Sequence, residues 1–195
     1  LQLRVKQPDG TYALGDEVLS FDGVATGGAD ENGKAYGNLK VWHSSDRGAT
    51  WEDWGFVFPE PIGETYFMTA DGVKQGPSGR IYIATGRDDL AEPGVFSEDA
   101  GVAQCVYSDD GGRTWTLGGI VSYKDVKSVM NEPQIVESYD GVVTMFYRTD
   151  TGMIRAVKSY DGGDTFDLSK IYRTPFLANG NCFGITVDPI DGKTL

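Results

Sequence analysis

Apolar residues along this chain come in short runs broken by glycine-bearing turns, and no stretch carries a convincing amphipathic helical spacing. The turn signals "PDG" (8–10), "PSG" (77–79), "YDG" (139–141) and "IDG" (190–192) each follow an apolar run. Strands are predicted after the first three: "EVLSFDG" (17–23), "RIYIATGR" (80–87) and "VVTMFYRTD" (142–150). A third strand follows in each case, "NLKVWHSS" (38–45), "GVAQCVYS" (101–108) and "MIRAVKS" (153–159), and then a fourth, "WEDWGFVF" (51–58), "WTLGGIV" (115–121) and "FDLSKIY" (166–172). Runs such as "VVTMFY" are apolar at consecutive positions, the pattern of a sheet covered on both faces. "YKDVKSVM" (123–130) has some helical spacing but is short, and is read as a connecting turn.

Between the third and fourth strands one motif recurs. "SSDRGATW" (44–51), "SDDGGRTW" (108–115) and "SYDGGDTF" (159–166) all obey S-x-D-x-G-x-T-[WF]. Repeats at such intervals point to propellers or solenoids, and four antiparallel strands per repeat make a propeller blade. The chain is therefore expected to be all-β, part of a single propeller domain over 1–195. Its blades would lie at about 1–60, 61–124 and 125–174, with a fourth begun at 175–195 by "NCFGITVDPI". Within the motif the Asp carboxylate can accept backbone N–H bonds of the turn, and Gly supplies a conformation that other residues avoid. Trp51, Trp115 and Phe166 are read as anchors between sheets rather than as carbohydrate contacts.

Composition narrows the function classes. The net charge of −12, from 29 acidic and 17 basic residues, disfavours nucleic acid and anionic membrane as partners. Neither a membrane-length apolar run nor a signal peptide is evident. With only two cysteines, Cys105 and Cys182, a disulfide framework is not indicated, and buried thiols are the expectation. The acidic run from Asp88 to Asp99 lacks the ligand spacing of a calcium loop and reads as solvated. His43, the single histidine, sits beside Trp42 on a strand and is read as structural. No cofactor, metal cluster, phosphate loop or Ser-His-Asp arrangement is expected.

The recurring motif resembles the Asp boxes of the sialidase superfamily, and the resemblance extends along essentially the whole chain. "MNEPQIVESYDGVVTMFYRTD" (130–150) is similar to the bacterial sialidase segment that carries a glutamate, an apolar strand, a D-G turn and a strand-end arginine. This places Glu132 on the family's glutamate and Arg148 on its second arginine. "FDGVATGGAD" (21–30) resembles the segment leading to the acid/base aspartate and places Asp30 there; a turn aspartate is the alternative. Asp22, in a D-G pair, is read as a turn residue. Arg87, ending "RIYIATGR", has nearly the position in its repeat that Arg148 has in the next, and either lines the same pocket or pairs with Asp88 or Asp89.

The resemblance implies a six-bladed propeller of sialidase type, of which about three and a half blades are present. It also implies a glycoside hydrolase that releases terminal sialic acid or a related acidic sugar from glycans by a retaining mechanism. Three arginines would hold the sugar carboxylate and a tyrosine would attack the anomeric carbon. The first arginine would precede Leu1, and the third arginine and the tyrosine would follow Leu195. Arg4 lies on the wrong part of its strand to serve. The chain is accordingly expected to be a piece of a longer protein, inactive alone, completed by the rest of the ring or by a second chain. An Asp-box glycosidase acting on another sugar, or a non-catalytic glycan-binding or structural propeller such as a viral fibre or adhesin domain, stays open as an alternative. Glycan partners imply an extracellular, cell-surface or periplasmic location.

Overall fold

A computed structural model describes residues 1–29, 35–58, 66–88, 101–122, 130–149, 151–177 and 184–186; for 24–29, 35–37, 66–71, 87–88, 101 and 131 it describes the backbone only. Twelve strands among these residues form three four-stranded antiparallel sheets, each ordered as the chain runs. The first holds β1 (Gln2–Lys6), β2 (Tyr12–Ala29), β3 (Ala35–Ser44) and β4 (Glu52–Phe56). The second holds β5 (Tyr66–Gln75), β6 (Ile81–Asp88), β7 (Gly101–Ser108) and β8 (Thr116–Ser122). The third holds β9 (Asn131–Glu137), β10 (Val143–Arg148), β11 (Met153–Ser159) and β12 (Tyr172–Leu177). These are propeller blades, and the described residues form part of a β-propeller of sialidase type.

The sheets stack through side chains that alternate along each strand. Leu3, Leu19, Leu39 and Val41 of the first sheet meet Ile81, Ile83 and Val106 of the second. From the opposite face of the second sheet Tyr82, Ala84, Ala103 and Cys105 meet Ile135, Met145, Val157 and Phe166 of the third. A further cluster on the far side of the third sheet joins Val136, Phe146, Ile154 and Ala156 to Ile185. β10, which carries most of "VVTMFY", is thus buried from both sides, which is why the run lacks a regular polar alternation. Each fully buried large side chain here contributes roughly 1.5–3 kcal/mol of transfer free energy.

The three Asp boxes fold almost identically. In the first, Asp46 Oδ1 accepts from the Thr50 backbone N–H at 2.8 Å and from the Ser44 hydroxyl at 2.7 Å, while Oδ2 accepts from the Thr50 hydroxyl at 2.7 Å. Ser44 Oγ in turn accepts the Gly48 N–H at 2.7 Å. Asp110 repeats these bonds with Ser108 and Thr114, and Asp161 with Ser159 and Thr165. The aromatic residue then docks sideways. Trp115 meets Phe21 of the first sheet edge-on at 5.7 Å, and Phe166 enters the core between the second and third sheets. Trp51, at the edge of the described blades, is 43% exposed and donates its indole N–H to the Gly48 carbonyl of its own box at 3.0 Å.

Two expectations need correction. The fourth strand of the third blade does not begin at Phe166, because Leu168–Lys170 forms a 3-10 turn and the strand starts at Tyr172, continuing past 174 to Leu177. Asp167 causes the delay by accepting the Ser169 hydroxyl and pairing with Lys170 at 2.9 Å. Asp22 is not in a turn. It lies within β2 opposite Lys40, and its carboxylate accepts the Trp42 indole N–H at 2.8 Å. Residues 123–129, 89–100 and Cys182 lie outside the described residues, as does most of the expected fourth-blade strand. Cys105 is a buried free thiol whose pKa burial pushes up, and His43 is stacked on Trp54 at 3.8 Å in a structural setting.

Candidate active site

Because neighbouring strands run antiparallel, the start of the first strand and the end of the second share one rim of each blade. The first-hairpin turns and the Asp boxes share the opposite rim. Glu132 follows the first residue of β9 and Arg148 is the last of β10, so both fall on the first rim. The ladder there is irregular. Phe146 pairs with Gln134 and Arg148 with Asn131, which leaves Glu132 and Pro133 together opposite Tyr147. This is a β-bulge, and its cause is legible: Pro133 has no N–H to donate to the ladder.

The bulge puts Glu132 at a φ of 50°, a left-handed conformation that a non-glycine residue adopts at a cost of about 1–3 kcal/mol. What the distortion achieves is aim. Arg148 Nε donates to Glu132 Oε2 at 2.7 Å, with side chains only 18% and 20% exposed. Partial burial strengthens the pair relative to one in water and holds the carboxylate at the rim as a fixed negative group. Beneath it the Tyr147 ring is fully buried, and desolvation pushes its phenol pKa up to about 12. Such a pair can supply a base of fixed orientation beside a guanidinium able to meet an anionic ligand.

The other candidates are placed less fully. Arg87 lies near the end of β6, paired with Tyr66 and Val102, one rung beyond the position in the second blade that corresponds to Arg148 in the third; its side chain is outside the described residues. Asp30 also lies outside them. Ala29 and Ala35, which bracket it in the sequence, pair with each other at the facing ends of β2 and β3. Arg4 is bound elsewhere: its Nη2 donates to the Gln75 carbonyl at 2.5 Å. Sequence reasoning had missed the bulge, although the Pro after Glu132 was its signal. Among the described residues no group of His, Cys, Asp or Glu is arranged to hold a metal ion, and no helix is long and apolar enough to cross a membrane.

Comparison with known proteins gives a consistent setting. A family model described as a BNR repeat-like domain matches residues 11–186. The anhydrosialidase of Macrobdella decora is 30% identical over 161 residues, covering 80% of this chain and 20% of the relative. Among solved structures, a protein of unknown function from Dyadobacter fermentans aligns with a TM-score of 0.59 at 22% identity, over 90% of this chain and 50% of that one. A NanB sialidase variant from Streptococcus pneumoniae aligns with a TM-score of 0.56 at 24% identity, over 81% of this chain and 23% of that one. The chain thus spans a fifth of the length of the curated relative it matches. With three Asp boxes in three stacked blades and a family match over most of its length, the chain belongs to the BNR repeat-like domain family and to the sialidase superfamily.

Proposed function

We propose that the protein carrying this chain is a retaining glycoside hydrolase of sialidase type, releasing a terminal sialic acid or a related acidic sugar from glycans. The observation that carries the reading is the Glu132–Arg148 pair, held on one rim by a strained bulge. In this scheme Arg148, with Arg87 beside it on the neighbouring blade, holds the sugar carboxylate through charge-assisted bonds. A tyrosine from outside this chain attacks the anomeric carbon as its phenol proton passes to Glu132. A neutral nucleophile of this kind avoids the repulsion that a carboxylate would meet from an anionic sugar. Asp30 protonates the departing glycosidic oxygen, and then removes a proton from the water that releases the sugar from the tyrosine.

Glu132→Gln in the full-length protein tests the reading. A fluorogenic sialoside should be turned over by the parent and lose roughly 100-fold or more of that rate in the variant, the contribution expected of a positioned base. Unchanged turnover would remove Glu132 from the mechanism. An inert parent that still binds sialylated glycans would instead make the propeller a binding module.

A further inference from the structure

The rim opposite Glu132 and Arg148 holds a cavity of about 630 Å³, bounded by the first-hairpin turns of all three blades. Glu132 and Tyr139 flank the two ends of β9, so the cavity lies about 20 Å from the candidate active site. Its volume is in the range that takes a small ligand. The polar groups on its walls divide sharply by sign. The acidic ones are occupied: Glu137 Oε2 accepts both the hydroxyl and the N–H of Ser78, at 2.6 and 3.2 Å. In the adjoining turns Asp9 accepts from Thr11, and Asp140 from Ser138 and Val142.

The cations are placed differently. Arg4 is fixed by Gln75, whose side-chain oxygen accepts the Arg4 N–H at 2.6 Å and whose carbonyl accepts Nη2. That arrangement immobilises the guanidinium without neutralising it, and no carboxylate lies within ion-pair distance among the described residues. Lys6 is exposed on the same strand, also without an acidic partner there. Arg4 and Lys6 thus face the cavity without direct ion pairs among the described residues, while the Glu137 carboxylate, held by the neutral donors of Ser78, shares its wall. The remaining walls offer the Tyr12 hydroxyl, the hydroxyl oxygens of Thr11 and Ser78, whose protons go to Asp9 and Glu137, and the Tyr139 ring, which is 60% exposed. An exposed aromatic face beside hydroxyls suits a ligand with an apolar face and hydroxylated edges.

We propose that this cavity is a second ligand site, separate from the catalytic rim, for a carboxylate-bearing saccharide: Arg4 and Lys6 would hold the carboxylate, Tyr139 would cover the ring, and the hydroxyls would bond its edge. The site does not depend on turnover at Glu132. The test uses the full-length protein and isothermal titration with free N-acetylneuraminic acid, with inorganic sulfate as a second probe. Glu132→Gln and Arg148→Ala together should leave one equivalent of saccharide binding intact. Lys6→Glu, on an exposed side chain that does not threaten folding, and Arg4→Ala should each weaken that equivalent roughly ten- to 100-fold, as loss of a charged hydrogen-bond partner does. Both should leave sialoside turnover as in the parent. Tyr139→Ala should weaken saccharide binding and leave sulfate binding unchanged. Disappearance of all saccharide binding in the Glu132/Arg148 double variant would overturn the proposal. So would indifference to Lys6→Glu, or sulfate binding as tight as that of the saccharide.

Discussion

Gly163 joins the third Asp box to the second blade, and replacing it by alanine should separate two costs that act at one position. Its φ of 99° lies where side chains are strained whatever space surrounds them, and a Cβ there would stand 2.9 Å from Cys105 Sγ. The backbone cannot retreat freely. The Gly163 carbonyl accepts the Gly119 N–H at 2.8 Å, and that oxygen is already packed against Gly118. Left-handed strain contributes about 1–2 kcal/mol and overpacking about 1–3, so Gly163→Ala should cost about 2–5 kcal/mol. Urea unfolding followed by tryptophan fluorescence in the full-length protein measures the total. A cycle with Cys105→Ala then divides it: removing the sulfur should recover the overpacking share, about 1–3 kcal/mol of coupling, and leave the backbone share. A loss below about 0.5 kcal/mol for Gly163→Ala, or no coupling to Cys105, would refute the reasoning.

Two more outcomes follow from the same contacts. The Thr165 hydroxyl and then its N–H, with Ser159, bring Asp161 down to about 2 from its ordinary 3.8, and the Thr50 N–H and hydroxyl do the same for Asp46. A carboxyl with a folded pKa below its unfolded one adds stability that is present above about pH 4 and lost as pH falls towards 2. Unfolding midpoints measured between pH 2 and 6 should therefore drop less steeply in Asp161→Asn than in the parent, and parallel curves would show that the box does not couple to acid unfolding. Residues 1–195 expressed alone should give only background in a fluorogenic sialoside assay, since the scheme places the nucleophilic tyrosine beyond Leu195. Robust hydrolysis by that chain would mean the nucleophile lies within it.

What could be read from the amino-acid order was whatever local contacts decide. The Asp boxes were legible because Ser, Asp, Gly and Thr satisfy one another within a few residues. The strands were legible because turns with forced glycine conformations bracket them. Readings failed where a distant or competing contact decided. Asp22 looked like a turn because of Gly23, but its oxygen goes to Trp42 on the neighbouring strand. The last strand of the third blade starts late because Asp167 prefers Ser169 and Lys170 to the ladder. Glu132 and Arg148 were singled out by resemblance and by their shared rim, while the bulge that aims one at the other needed the register of two strands.

The bonds among Ser, Asp, Gly and Thr of each Asp box close within the box, whereas Trp115, Phe166 and the Gly163 carbonyl reach the blade next door, and Asp164 and the Gly162 carbonyl accept from Tyr107 and Arg80 there. The two tasks, making a corner and choosing a neighbour, therefore fall on different atoms. A blade copied to a new place in a ring would bring a finished corner with it, and the aromatic and the variable positions of the box would have to be refitted to their surroundings. Drift at Trp115 or Phe166 would then alter how blades abut without dissolving the turns that carry them. A scaffold divided in this way can lengthen or shorten by whole units, with each junction renegotiated by a few side chains.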